Sequence, residues 1–225
     1  TALGTVDWDN PGSPFTYSRQ FTCDGDGGQH DNTAIIVETG QTDDASVTVN
    51  CLDLTVTKDA STSLERTYKW TIDKSVTPAS WQLFTGDQGT SQYTVTVAPD
   101  GFDDAEWMVD GNIYVLNPNT LPVYIQSISD AMTGGVTATV SDCEVNESPI
   151  VFPYTLAAGG SIHCTYATAV PDDSDRTNTA TVSAKPTEAG TAKDFTGNAD
   201  VDFAGVTLTN VNKIIDIVDT YPTDP

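Results

Sequence analysis

Chemistry in this chain would have to start from its histidines, carboxylates and cysteines. There are two histidines, His30 and His163. Ser161 stands two positions before His163, but no nucleophile-elbow pattern surrounds the serine, so a Ser-His-Asp hydrolase is not indicated. Carboxylates are abundant, as at Asp103, Asp104 and Glu106, yet nothing marks a cleft for paired acid–base work. The chain reads as a non-enzyme. Asp24-Gly25-Asp26-Gly27-Gly28, running on to Asp31, resembles a calcium loop, with Asp24, Asp26 and Asp31 as candidate ligands. It departs from the EF-hand, which requires a ligand at the fifth position and a glutamate at the twelfth. Acidic clusters at residues 100–106 and 172–175 are of the same kind. Calcium is thus the one cofactor the pattern admits, and a solvated acidic turn is the competing reading.

Cys23, Cys51, Cys143 and Cys164 include no CxxC, and no histidine stands at metal-ligand spacing, which argues against zinc. An even number of cysteines in turn-rich sequence suggests disulfides formed in an oxidising compartment. Cys23–Cys51 with Cys143–Cys164 is the simplest pairing, but four cysteines allow three connectivities and the spacing does not choose among them. Asn146-Glu147-Ser148 is a glycosylation sequon. No run of about 18 apolar residues is present, so no membrane insertion is expected. The expectation is a mature secreted chain whose signal segment has been removed.

The elements that must carry these residues are strands. Thr and Val are frequent, Asp, Gly and Asn punctuate, and no long amphipathic stretch of period 3.6 appears. An all-β fold follows. Lys plus Arg number 9 against 32 Asp plus Glu, a net charge of -23. Such a polyanion is repelled by nucleic acid and by anionic membrane surfaces. Identical acidic subunits repel one another too, so any assembly needs apolar contacts or cations at its interfaces.

Residues 1–53 read as four short strands, at 2–8, 15–23, 33–39 and 45–51, with turns at Asn10-Pro11-Gly12, residues 24–28 and residues 41–44. About 50 residues bury too little surface for comfortable stability, and an immunoglobulin-like sandwich uses about seven strands. The piece reads as an incomplete sandwich. Residues 54–204 read as a complete one, with strands at 54–57, 67–74, 91–98, 107–116, 123–129, 136–143, 162–169, 179–184 and 199–203, and Trp70 and Trp107 as core or inter-sheet aromatics. Residues 205–225 form a tail. Its Val206, Leu208, Val211, Ile214, Ile215, Ile217 and Val218 show strand-like patterning through to Tyr221. An internal echo sharpens the division. Asn32-Thr33-Ala34 matches Asn178-Thr179-Ala180, and aromatic pairs precede both Cys23 and Cys164. The first piece therefore resembles the second half of the larger one, as though the chain began in mid-domain.

The runs Leu54-Thr55-Val56-Thr57-Lys58-Asp59-Ala60 and Tyr68-Lys69-Trp70-Thr71-Ile72-Asp73-Lys74 resemble a bacterial surface-protein family of tandem Ig-like β-sandwich repeats. Asn117-Pro118-Asn119, Tyr154-Thr155-Leu156-Ala157-Ala158-Gly159-Gly160, Cys164-Thr165-Tyr166 and Asn178-Thr179-Ala180-Thr181-Val182 carry the same resemblance. In such arrays a segment similar to residues 216–221 is followed by one similar to residues 3–6 and then 15–19, whereas here the order is permuted. The resemblance therefore implies that the tail completes the N-terminal piece as a donor strand, in the same chain or in the next one. Separately from that resemblance, Lys58 or Lys74 with Asn178, near a carboxylate, is a candidate pair for an intramolecular isopeptide bond of the kind some Gram-positive surface sandwiches form, and the sequence does not show whether the pair is apposed.

The reading is an all-β chain of two Ig-like sandwiches: 1–53 incomplete, 54–204 complete, and 205–225 a donor strand. It serves as a structural subunit of an extracellular filament or surface sheath, polymerising head-to-tail with identical subunits. The alternative is a monomeric cell-surface adhesion or ligand-binding module whose tail folds back on its own chain.

Overall fold

A computed structural model describes every residue except 1, 10, 13 and 221–225. Asn10 of the first expected turn and Tyr221 at the tip of the tail therefore lie outside the described residues. The described chain is all-β, and it divides into two compact units, Thr1–Asp53 and Leu54–Pro225.

The first unit holds one antiparallel hairpin, β1 (Gly28–Ile35) and β2 (Thr42–Val49), paired from Gly28 opposite Val49 to Ile35 opposite Thr42. Four strands were expected. Residues 2–8 and 15–23 form no strand among the described residues; the first segment makes a single bridge, at Asp7. The expected turn at 41–44 is displaced to residues 36–41, where Gly40 adopts φ +70° and the Ile36 and Gln41 backbones bond at 2.8 Å. The Cys23–Cys51 disulfide ties the entry to the exit of this unit.

The second unit is built on two ladders. In the first, β10 (Ser161–Ala169) lies between β7 (Val136–Val145) and β5 (Gln92–Leu116). The far edge of β5 is taken first by β3 (Thr55–Lys58) and then by β4 (Ser61–Thr77), and β13 (Thr207–Val211) closes the edge of β4. In the second, β11 (Arg176–Lys185) lies between β12 (Lys193–Val201) and β6 (Val123–Met132). Short β9 (Tyr154–Leu156) pairs with β6, β8 (Ser148–Pro149) pairs with β7, and a β6–β7 hairpin joins the two ladders.

Period-2 patterning supplies the core between the ladders. β10 buries Ile162, Cys164 and Tyr166, β5 buries Val109, Ile113 and Val115, and β11 buries Ala180, Val182 and Ala184. Each fully buried Val or Ile contributes roughly 1.5–3 kcal/mol. Trp70 and Trp107 are not in this core. Both are half-buried: Trp70 donates its indole N–H to the Asn212 carbonyl, and Trp107 meets Phe203 edge to face at 5.3 Å.

Residues 91–98 and 107–116 were expected as separate strands. They are one strand, β5, because Glu106 at φ +53° and register shifts opposite it absorb the irregular acidic stretch without ending the ladder. The distal parts of β4 and β5 run on as a two-stranded arm. At its root Arg66 grips Asp104 through two bonds of 2.6 and 2.7 Å and stacks 3.9 Å from the Phe102 ring centroid. The Arg66 hydrogen bond holds the Asp104 carboxyl below its ordinary range.

One close approach sets the spacing of the ladders. A Cβ built on Gly197 of β12 would lie 2.5 Å from the Val56 carbonyl oxygen of β3, so only glycine lets these strands meet. Gly197→Ala is therefore expected to lower stability by about 1–3 kcal/mol, read as a denaturation-midpoint shift. The Arg66–Asp104 contribution is present above the ordinary carboxylate pKa and is lost as pH falls through the depressed Asp104 value. Asp104→Asn should accordingly flatten the acid limb of the stability–pH curve, measured by thermal melts from pH 2 to 6.

Candidate functional site

A cluster of polar side chains sits between the ladders, where apolar packing would be expected. Lys58 is the last residue of β3, Asp130 belongs to β6, Asn178 to β11 and Tyr166 to β10. The Lys58 ammonium meets Asp130 Oδ1 at 2.5 Å, and both side chains are completely buried. Asp130 lies opposite Ala180 in the β6–β11 register, so Asn178 is its diagonal neighbour on the same face. The Tyr166 ring lies under the ammonium at 4.0 Å.

The backbone around the cluster is shaped to admit it. Between β3 and β4 the strand is interrupted at Asp59-Ala60, and the Asp59 carboxylate accepts from the Asn112 backbone and side chain at 2.8–3.2 Å. Tyr166 donates its hydroxyl to the Asp59 carbonyl at 2.6 Å. Gly111 makes room for this contact, since a Cβ there would lie 2.5 Å from the same carbonyl oxygen and 2.9 Å from the tyrosine oxygen. Asn112 also meets His163 Nε2 at 2.9 Å, while Nδ1 of the same ring faces Glu144 at 3.2 Å. His163 is thus engaged by Asn112 and Glu144 and pairs with no serine nucleophile.

The electrostatics are those of a desolvated site. Burial lowers the Lys58 amine below the usual lysine range, against the opposing pull of Asp130 and Asp59. Burial raises the Tyr166 hydroxyl well above the usual tyrosine range, against a smaller lowering from the neighbouring Asn178 carboxamide. Three polar atoms in the cluster lack a hydrogen-bond partner: Asp130 Oδ2 and both Nδ2 and Oδ1 of Asn178. Each such atom costs about 1–3 kcal/mol. A deprotonatable amine, a carboxylate and an amide carbonyl are the parts of an acyl-transfer site. With Lys58 and Asp130 fully enclosed, no external substrate can reach them.

The other expected site residues are dispersed. Cys23 pairs with Cys51 and Cys143 with Cys164, which resolves the three possible connectivities. Paired cysteines of this kind are typical of extracellular proteins. Asp26 is held by Arg19 at 2.9 Å and by the Thr22 backbone at 2.9 Å, and Asp31 accepts from Gln29 at 2.7 Å. Among the described residues no group of three or more acidic, histidine or cysteine side chains is gathered as a metal site, Asp24 included. Asn146 is exposed in the turn between β7 and β8 at φ +50°. Among the described residues no helix is long and apolar enough to cross a membrane.

The tail splits into two parts. Residues 207–211 form β13 in parallel register with β4, from Thr207 beside Ser63 to Val211 beside Thr67. Val206 and Val211 are half-buried there, and Leu208 is 36% exposed. Beyond β13, Ile214, Ile217 and Val218 are exposed and Ile215 is half-buried, while Asp219 meets Lys74 at 2.5 Å. Lys74 therefore stands on the arm, and it is Lys58 that joins the cluster containing Asp130. That distinction was not readable in sequence, because it depends on which lysine ends a strand facing the second ladder.

No family model matches the chain, and no curated protein or solved structure matches it. Removing the hydroxyl in Tyr166→Phe leaves the Asp59 carbonyl short of a donor. The expected loss is about 1–2 kcal/mol of unfolding free energy in chemical denaturation.

Proposed function

We propose that this chain is a structural subunit of an extracellular filament or surface sheath, assembling head-to-tail with identical copies. The tail of one subunit completes the N-terminal unit of the next. The observation that carries this reading is the exposure of apolar side chains in the N-terminal hairpin and in the tail beyond β13. The β1–β2 hairpin leaves Ile35 61% and Val47 42% exposed, and Val37 in its turn is 80% exposed. A lone two-stranded hairpin is marginal in water. In the tail, Ile214 is 90% and Val218 79% exposed, beside arm residues such as Ile72 and Tyr93 that are also exposed.

The donor segment on this reading is Ile214, Ile215, Ile217 and Val218, because Val206, Leu208 and Val211 are already engaged on β4 or beside it. An edge strand donated in this way satisfies the acceptor's backbone while alternate side chains fill its groove. Head-to-tail contacts that do not close yield open filaments. The disulfides suit an oxidising exterior, and an acidic polymer would gain from salt that screens a charge of -23 per subunit.

One observation favours the alternative of a monomeric adhesion or ligand-binding module: β13 pairs with β4 of its own unit. Negative-stain electron microscopy of the full chain and of a chain lacking residues 206–225 separates the two. Filaments from the full chain, more abundant at high salt, with none from the truncated chain are expected. A monodisperse full-length monomer across salt and calcium concentrations would overturn the filament reading.

A further inference from the structure

The cluster between the ladders holds an arrangement that a merely structural site would not keep. A core asparagine is tolerated when its amide is hydrogen-bonded, as Asn117 shows in this same unit. That side chain is fully buried, donates to the Leu121, Leu156 and Ala157 carbonyls, and accepts from Asn119. Asn178 is equally buried, yet neither its Nδ2 nor its Oδ1 has a partner. It is the diagonal neighbour of Asp130, which holds the buried Lys58 ammonium, and its carboxamide acts on the Tyr166 hydroxyl. An amide carbonyl with no hydrogen bond, an enclosed amine and a carboxylate already bonded to that amine lack only the covalent step.

We infer that Lys58 and Asn178 become joined by an intramolecular isopeptide bond, with Asp130 as the proton carrier. The Lys58 ammonium passes a proton to Asp130, leaving a neutral amine. Nζ attacks Cγ of Asn178, and the Cγ oxygen takes up the carbonyl electron pair. The attacking nitrogen gives up a second proton, and Asp130 supplies one to Nδ2. The Cγ–Nδ2 bond then breaks and ammonia departs. One Nζ–Cγ bond has formed and one Cγ–Nδ2 bond has broken. Of the five hydrogens on the two reacting nitrogens, one stays on the new amide, three leave with ammonia and one remains on Asp130. Nothing is oxidised or reduced. The product removes both a buried positive charge and the unpartnered amide donor, so the low polarity of the site favours it. Exclusion of water keeps the asparagine from being hydrolysed instead.

Lys74 is no competitor, since it sits partly exposed on the arm against Asp219. The inference rests on the second unit alone and stands or falls separately from filament formation.

Intact mass spectrometry of the full chain, reduced and alkylated, tests it directly. The expected mass is one ammonia, about 17 Da, below that of the linear sequence. Proteolysis should release a branched peptide linking the Lys58 and Asn178 segments. An unshifted mass, or an ammonia loss mapped to any other residue, overturns the inference whatever the variants do. Lys58→Arg and Asn178→Ala should each restore the linear mass. Asp130→Asn should restore it as well, with circular dichroism confirming that the all-β fold is kept. A folded Asp130→Asn chain that still forms the branched peptide would remove Asp130 from its role.

Discussion

An ionised pair with no access to water is the constraint that the second unit must satisfy before anything else. Taking a lysine and an aspartate out of solvent costs several kcal/mol per ion, and their mutual attraction offsets this only when the geometry is good and the remaining lone pairs are used. Lys58 and Asp130 meet the first condition at 2.5 Å, while Asp130 Oδ2 leaves the second unmet. The pair also fixes the position of three strands. β3 must end at Lys58, β6 must present Asp130 inward, and β10 must lay Tyr166 beneath the ammonium. The two glycines that permit close approach, Gly111 beside Asp59 and Gly197 beside Val56, flank this same short strand.

The two units solve the burial problem differently. The second closes two ladders over a core of Val, Ile and Tyr and adds a disulfide between β7 and β10. Among its described residues the first has one hairpin, one disulfide and exposed aromatic and aliphatic side chains, with Trp8 almost wholly in solvent. A surface of this apolarity is unusual in an acidic chain, whose charge otherwise favours solubility. Charge and apolar exposure thus pull in opposite directions within one molecule.

Much of the second unit could be read from sequence. β10 and β11 alternate cleanly, and the turns at Asn117-Pro118-Asn119 and Thr133-Gly134-Gly135 fall where their composition places them. The continuity of β5 could not be read, because a bulge at Glu106 resembles a turn when only local chemistry is visible. In the first unit, residues 2–8 and 15–23 have strand-like composition but build no strand beyond a single bridge at Asp7, and composition carries no information about partners. The buried cluster was half legible. Asn178 and a lysine near a carboxylate could be named, but choosing Lys58 over Lys74, and Asp130 among 32 acidic residues, required the register that brings β3 against the β6–β11 pair. Tyr166 and Gly111 gave no signal of their own, since a strand tyrosine and a strand glycine are ordinary until the approach of Asp59 is known.

The parallel alignment of β13 with β4 gives the tail a direction-dependent strength. A tension drawn along the chain from beyond Val211 acts parallel to the strands, so the ladder bonds from Ser63 to Thr67 share the load together, like a lap joint. The Trp70–Asn212 bond and the Lys74–Asp219 pair lie further along the same line and add to the overlap. A force applied sideways instead meets the bonds one at a time, as in opening a zipper. The same five-residue strand therefore resists axial stretching far better than lateral peeling.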